Sequence, residues 1–583
     1  MNALCLSLVL LAVGSPPFAG MYFVDGAAPN ASDDNPGSAD APWRTIARAG
    51  KAAELQPGDT VRIRSGVYRE HIEITVSGTE GAPITFEAEP GGVVVVKGSE
   101  IIQGPWTEPA KQPDVKEPFP NAFTGVFQTQ LTDDFFTDPR FTASYADPAT
   151  RWVSQVFVDD RKPLQRIGLD PIYNNDEYEK LTIVGRDISD LSNDSFYFDP
   201  ATQTLSVKLI GRPEWSLMEV GVRGFTLTAQ EVHDVVIRGI DFRHNRQPGG
   251  QWPMASISGC DRVIVEDCSF ALADFCGLGL GRSRDCVVRR CDLSHNGDTG
   301  LGMGECEDCL IEECTLNYNN YRRFSPGWHA GGMKCIPNNK RCTIRHCEAA
   351  YNTLSDGIWF DSANEDIRII ENVAHHNGSC GIFYEINPGG GIIAGNLCYA
   401  NQVRGIYISG SQNTWVVHNT VAGNIAGIVC MPREDPFTLE NVQVRNNLLI
   451  GNTTAATDIN RGCDLTVYMG PSPDTFERTA TSNHSDYNVY ASMPWTPHLR
   501  HHWNPDNTLA EWQERFGEDT HSAQMPVSVA MRGGGFALLS TDGLDIAGPL
   551  PEGLPWMPET PGRVGSAITR WPAPWPDAGS GRE

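Results

Sequence analysis

Asp361 and Glu385 occupy the same place in successive copies of a short repeat, and two acids held at one repeat spacing have the makings of an acid/base or nucleophile pair. The repeat reads Gly-hydrophobic-x-hydrophobic-x. Its copies are GLGLG (277–281), GLGMG (300–304), GMKCI (332–336), GIWFD (357–361), GIFYE (381–385), GIYIS (405–409) and GIVCM (427–431). Side chains alternate along a strand, so the hydrophobic residues turn inward and the third and fifth residues of each copy turn outward. If the copies stack as neighbouring parallel strands, the two carboxyl groups stand about 5 Å apart, the separation of retaining glycosidases. Like charges that close keep one group protonated as an acid while the other is ionised.

The outward fifth position runs Gly281, Gly304, Ile336, Asp361, Glu385, Ser409, Met431, and the third runs Gly279, Gly302, Lys334, Trp359, Phe383, Tyr407, Val429. One end of this strip is bare glycine, where a ligand can approach the backbone, and the other is aromatic. An extra-long interval before the Asp361 copy holds YRRFSPGWHAGGMK, which brings Arg322, Arg323, Trp328 and His329 beside Lys334. Trp359, Trp328, Phe383 and Tyr407 are expected to meet sugar faces; His329, Lys334, Arg322 and Arg323 are expected to hold hydroxyl or carboxylate groups. Taken singly, an outward acid on a repeat protein is ordinary solvated surface, and the shared register is what singles out this pair.

A second register of the same repeat must position these groups. Hydrophobic anchors recur at Ile237, Val265, Val288, Ile311, Ile344, Ile369, Ile393, Val416 and Val444, with a period near 24 residues that signals a solenoid. Eight residues on stand Asn245, Asn296, Asn319, Asn352, Asn377, Asn401, Asn424 and Asn452, read as turn residues bonded to backbone. Three residues after the anchor the chain carries Cys268, Cys291, Cys314 and Cys347, then Asn372, Asn396, Asn419 and Asn447, which predicts internal ladders. Two-residue alternation and β-branched anchors exclude a helical repeat. The predicted fold is all-β: a right-handed parallel β-helix of nine coils, about 40 Å long, with an inserted β-rich lobe and caps at both ends.

The chain has 583 residues and a net charge of −27, which opposes nucleic acid or an anionic membrane as partner and disfavours polyanionic glycans unless the cleft is locally basic. Residues 1–20 read as a signal peptide, so the mature protein is expected to be secreted or periplasmic, with no membrane span afterwards. Sixteen cysteines in an exported chain ordinarily suggest disulfides, yet their repeat positions favour stacked core thiols. Cys306 and Cys309 form a C-x-x-C pair without a matching second pair, which argues against zinc. No cofactor is expected, calcium being the one candidate ion. The expected organisation is 21–103, cap and first coils, with a helix over Thr45 to Leu55; 104–228, inserted lobe; 229–455, main β-helix with the site; 456–583, C-terminal cap with a helix over Leu509 to Phe516.

GIWFD followed by IFYEI, with His329 upstream, resembles the paired motifs of β-helix glycoside hydrolases of the family 120 β-xylosidase type, and more broadly the secreted right-handed β-helix repeat proteins. The resemblance implies an Asp nucleophile and a Glu acid/base on successive coils, here Asp361 and Glu385. Ser362, and Ile386-Asn387-Pro388-Gly389, depart from that family's residues after each acid. Two other readings remain. One is a polysaccharide lyase or C5-epimerase acting on uronates, with Lys334 as base, calcium on Asp361 and Glu385, and Arg322 or Arg323 on the substrate carboxylate. The other is a noncatalytic carbohydrate-binding or surface rod. All three take an oligo- or polysaccharide as partner, and the sugar, the linkage and the oligomeric state stay open.

Overall fold

The computed structural model describes residues 19–571 apart from 109–123, 137–151, 161–162, 171–180, 247–251, 326, 434–436, 453–464, 468–481, 492–498, 501–507, 553, 557 and 559–561. The expected signal segment lies almost wholly outside the described residues.

The chain forms the predicted parallel β-helix. The anchor column is continuous: Ile237, Val265, Val288, Ile311, Ile344, Ile369, Ile393, Val416 and Val444 pair in direct register from each coil to the next. It also continues beyond both ends of the readable repeat. Tyr22, Val61 and Phe86 precede it and Ser485 follows it, giving a sheet of 13 strands rather than nine. At the ~4.8 Å spacing of adjacent strands its first and last rungs are about 58 Å apart. The three N-terminal rungs lie within the expected first coils of 21–103, set apart from the repeating anchors by the long excursion between Phe86 and Ile237, and the last rung went unread because its column residue is a serine.

A second sheet of 12 strands carries the Gly-hydrophobic-x-hydrophobic-x copies. Their hydrophobic residues, among them Leu278, Leu301, Met333, Ile358, Phe360, Ile382, Tyr384 and Ile406, are buried in one core that runs the length of the rod. A third face closes the coils, through a four-stranded sheet in the N-terminal part and a seven-stranded one from Glu348–Ala350 onward that includes Val373–His375 and Leu397–Tyr399.

The asparagines form ladders at the corners. Asn352 Nδ2 donates to Asn377 Oδ1 at 2.8 Å, Asn377 to Asn401 at 2.9 Å, and Asn401 to Asn424 at 2.9 Å; the same amides also bond carbonyls such as Ala349 and Ala374. Asn372, Asn396, Asn419, Asn447 and Asn488 make a second ladder, and Asn339, Asn364 and Asn387 a third that the sequence reading did not pick out. The first ladder explains the leading glycine of each motif: a Cβ on Gly357 would meet Asn377 Nδ2 at 2.9 Å and the Gly381 carbonyl at 2.6 Å.

Both ends of the core are covered. Ile46–Gly50 is a short helix N-capped by Thr45, shorter than the expected span, and it packs Ile46 and Ala49 into the core with Ala52 and Leu55 just beyond it. At the other end Leu509–Phe516, as expected, is a helix with a Thr508–Glu511 capping box that places Leu509 and Trp512 in the same core. The chain then runs back along the third sheet, where Trp556 donates to Glu371 and Trp571 to Glu348, each at 3.0 Å.

Between Lys97 and Leu227 the chain leaves the coil and builds a separate lobe around Phe127, Phe136, Phe196, Phe198, Leu205 and Val207. Its main sheet pairs Thr124–Gln130, Thr204–Ile210 and Ser195–Asp199 antiparallel. The lobe touches the cleft sheet's insertion, where Leu181 bridges Phe324 and Thr182 N–H donates to the Arg323 carbonyl at 3.1 Å.

Candidate functional site

Asp361 pairs directly with Glu385 on neighbouring parallel strands, and Trp359 pairs with Phe383 two residues before them. Because the residues between face the core, all four side chains lie on the outer surface of the second sheet. One rung earlier Lys334 pairs with Trp359; one rung later Phe383 pairs with Tyr407 and Glu385 with Ser409.

Each acid has its own cation. Lys334 Nζ lies 3.1 Å from Asp361 Oδ2, and Arg433 pairs with Glu385 Oε1. Asp361 also accepts from the Ser362 hydroxyl at 2.9 Å, and Glu385 Oε2 accepts from the Trp359 indole N–H at 3.0 Å. Lys334 donates in addition to the Trp328 carbonyl. Burial pushes the Lys334 ammonium below its ordinary value, with the Asp361 carboxylate opposing the shift. Arg433 has no counterpart in the repeat, being contributed by the turn that follows Met431, and sequence reasoning missed it.

The aromatic column is a stack. Lys334 Nζ lies 3.4 Å from the Trp359 ring centre, Trp359 stacks on Phe383 at 5.1 Å, and Phe383 on Tyr407 at 4.8 Å, closed by the Arg404 guanidinium at 4.2 Å. Trp359 is buried, both faces covered, so it does not offer the sugar platform expected of it; what it presents to the pair is its indole N–H, bonded to Glu385. Phe383 and Tyr407 retain partial exposure and Trp328 is exposed at the rim.

A further expectation fails on placement. Arg322 is nearly buried and bonds Asp170 of the lobe at 2.8 Å and Asp274 of the coil, so it fastens lobe to rod instead of facing the acids. Arg323 is exposed, and its carbonyl serves the lobe contact with Thr182. A loop without periodicity gives no signal of where its side chains point.

His329 and Lys334 both line a groove of about 230 Å³. His329 Nδ1 lies 2.9 Å from Asp298 Oδ1, and its buried Nε2 has no hydrogen-bond partner among the described residues. The groove crosses four rungs, from Ser256 and Ser258 over Gly279, Gly281, Gly302 and Gly304 to Lys334 and Ile336, and thus ends where Lys334 meets Asp361. A larger cavity of about 480 Å³ lies in the lobe against Arg166, Asp170 and Arg322, away from the carboxylate pair.

For a metal, the chemistry of the pair is unfavourable, since each carboxylate already meets a protein cation. Among the described residues one group, Asp160, Glu219 and His244, brings three possible ligand atoms together. Lys97 Nζ lies 3.0 Å from both Asp160 and Glu219 and supplies the positive charge there. The described cysteines are all buried and free, including Cys306 and Cys309.

Comparison with known proteins agrees with this architecture. Residues 253–392 and 335–469 match the family model described as right handed beta helix region. The solved structure of XylC in complex with xylose superposes with a TM-score of 0.63 over 88% of each chain, at 15% sequence identity. The chain therefore has the right-handed parallel β-helix fold. Two curated relatives match shorter stretches: the uncharacterized protein YwoF of Bacillus subtilis (strain 168), 39% identical over 82 residues, 14% of this chain and 17% of YwoF, and pectate lyase PEL9 of Emericella nidulans, 33% identical over 105 residues, 18% of this chain and 23% of PEL9. The chain spans less than a quarter of the length of either relative.

Proposed function

We propose that this chain is a carbohydrate-active enzyme, a retaining glycoside hydrolase with Asp361 as nucleophile and Glu385 as acid/base. The observation that carries the reading is the direct cross-strand register of Asp361 with Glu385. Adjacent strands at about 4.8 Å bring two carboxyl groups to the ~5–5.5 Å of a double-displacement pair, whereas an inverting pair needs room for water between them. The fold shared with XylC, whose structure holds xylose, is consistent with a sugar substrate.

In the first step an Asp361 oxygen bonds the anomeric carbon as the bond to the leaving oxygen breaks, and protonated Glu385 delivers its proton to that oxygen. In the second, Glu385 takes a proton from water, the water oxygen bonds the anomeric carbon, and Asp361 departs as carboxylate. Lys334 balances the charge on Asp361 before attack and after release. Trp359 fixes the Glu385 carboxyl group. Exposed Arg433 must move off Glu385 for that acid to reach the leaving oxygen. The chemistry needs no metal ion. Export to the periplasm or medium, where such substrates are met, belongs to the same proposal.

The test is chemical rescue. Asp361→Gly, screened on aryl glycosides, is expected to lose turnover and to regain it with azide, releasing a glycosyl azide. Unchanged hydrolysis by that variant eliminates the reading.

A second reading, a uronate lyase or C5-epimerase, is favoured by one observation: the lowered Lys334 ammonium, the direction a general base requires. PEL9, by its name a pectate lyase, points the same way. The reading loses Arg322 as a substrate ligand. A lyase product absorbs in the near ultraviolet, and a calcium-bound acid pair is sensitive to EDTA; activity with neither sign excludes a calcium-dependent lyase.

A further inference from the structure

The groove beside the carboxylate pair has a charge unlike that of the whole chain. Against a net charge of −27, none of the described residues that line it is acidic. Three cationic or protonatable groups border it instead. Lys334 closes the end next to Asp361, and His329 forms part of the wall. Arg282 reaches the far end, donating to Ser258 Oγ at 3.2 Å.

His329 is the informative one. Asp298 accepts from its Nδ1–H, which fixes the ring, and Nε2 is buried yet unpartnered among the described residues. A buried polar atom left unpaired costs free energy, and a ligand that bonds it recovers that cost. The floor is shaped for such a ligand. A Cβ on Gly302 would meet only Cys276 Sγ, at 3.5 Å, and one on Gly281 only Ser258 Oγ, at 3.6 Å, so the space above both is open; at Gly304 the Ile336 carbonyl stands at 2.6 Å. A neutral sugar ring presents many O–H donors, which carbohydrate sites meet with carboxylate acceptors. A lining with cations, serines and no acid suits a ring that carries its own carboxylate.

We infer that the glycine-floored groove is a subsite for a uronate residue of an oligosaccharide, its carboxylate received by the Arg282 guanidinium, its ring lying over Gly281 and Gly302, and a ring hydroxyl donating to His329 Nε2, which accepts because Nδ1–H is given to Asp298. The inference rests on the glycosidase reading for its position next to the cleavage point, and adds a substrate class to it. With the groove extending from Asp361 toward the N-terminal coils, the uronate lies on that side of the scissile bond.

The two readings are separable because binding is measured without turnover. In Asp361→Asn protein, calorimetry is run with the trimers of galacturonate, glucuronate and mannuronate and with the trimers of the corresponding neutral sugars. At least one uronate trimer is expected to bind roughly tenfold or more tightly than its neutral counterpart, with an advantage that shrinks as salt rises. Arg282→Gln, at an exposed position, is expected to cut that advantage several-fold, and Gly302→Leu to abolish binding of both while the melting temperature holds. Equal affinity for charged and neutral trimers, no binding of any uronate trimer, or an advantage untouched by Arg282→Gln overturns the proposal. Uronate binding without hydrolysis of any glycan leaves the subsite standing and sinks the glycosidase.

Discussion

Trp359 donates its indole N–H to Glu385 at 3.0 Å, from the rung that carries Asp361. The bond ties the orientation of one acid to the strand of the other, and the ring that makes it is clamped between Lys334 and Phe383. Trp359→Phe keeps an aromatic ring in the stack and removes the donor. A hydrogen bond to a charged group contributes about 1.5–3 kcal/mol, so kcat is expected to fall about 10- to 100-fold with KM little changed. Steady-state kinetics on the best aryl glycoside decide it, and a selective rise in KM would make Trp359 a sugar contact after all.

Lys334 gives a pH-dependent prediction. Its ammonium is depressed by burial in the folded chain, so between the folded value and the ordinary lysine value the unfolded chain holds more protons and stability rises with pH. Below that window both states are protonated, and the cost of the buried charge is fully present. Lys334→Met removes the titrating group, and the rise in urea midpoint as pH climbs toward the ordinary lysine value is expected to shrink relative to wild type. The same variant leaves Asp361 without its cation, and activity is expected to drop ~100-fold or more, the scale on which breaking a buried ion pair is felt. A variant with full activity and an unchanged pH–stability profile contradicts both points.

The ladder through Asn377 predicts a local contribution to stability. Its amide donates to the Ala349 carbonyl and to Asn401 Oδ1 and accepts from Asn352, all within the buried corner. Asn377→Ala removes these bonds and leaves Asn352 Nδ2 short of an acceptor. The expected cost is about 2–4 kcal/mol, read as a lowered urea midpoint with an unchanged slope. A loss below 0.5 kcal/mol would mean that water replaces the ladder.

How much of this was legible follows from which residues repeat. Ile237 to Val444, the asparagine corners and the Asp361–Glu385 pairing are properties of register, and register is what a period near 24 encodes. Outwardness was legible too, but exposure was not: Trp359 points away from the core and is still buried, because Lys334 and Phe383 cover its faces. Arg322 and Arg433 come from turns that obey no period. One is held by Asp170, which lies 152 residues earlier in the chain, and the other reaches Glu385 from beyond the next two rungs. The acid-free lining of the groove was visible only once Ser256, Ser258 and the glycines stood beside His329.

The cysteine columns supply a last prediction. Cys268, Cys291, Cys314 and Cys347 stack along one corner, and each sulfhydryl finds backbone carbonyls: Cys291 that of Val265 at 3.6 Å, Cys314 that of Val288 at 3.7 Å, Cys347 that of Ile311 at 3.8 Å. Stacked side chains on parallel rungs keep their Cβ atoms near the ~4.8 Å strand spacing, whereas a disulfide draws its Cβ atoms to about 3.5–4.5 Å. Closing a bridge would pinch two rungs together and break the sulfhydryl bonds to the coil before. All fourteen described cysteines are accordingly free and buried. Thiol titration with Ellman's reagent is expected to show few reactive groups in the native protein and at least fourteen after denaturation in urea. Dithiothreitol is expected to leave the melting temperature where it is. A melting temperature that falls on reduction, or a denatured thiol count well below fourteen, would mean that the columns are cross-linked and that the rungs there lie closer than strand pairing allows.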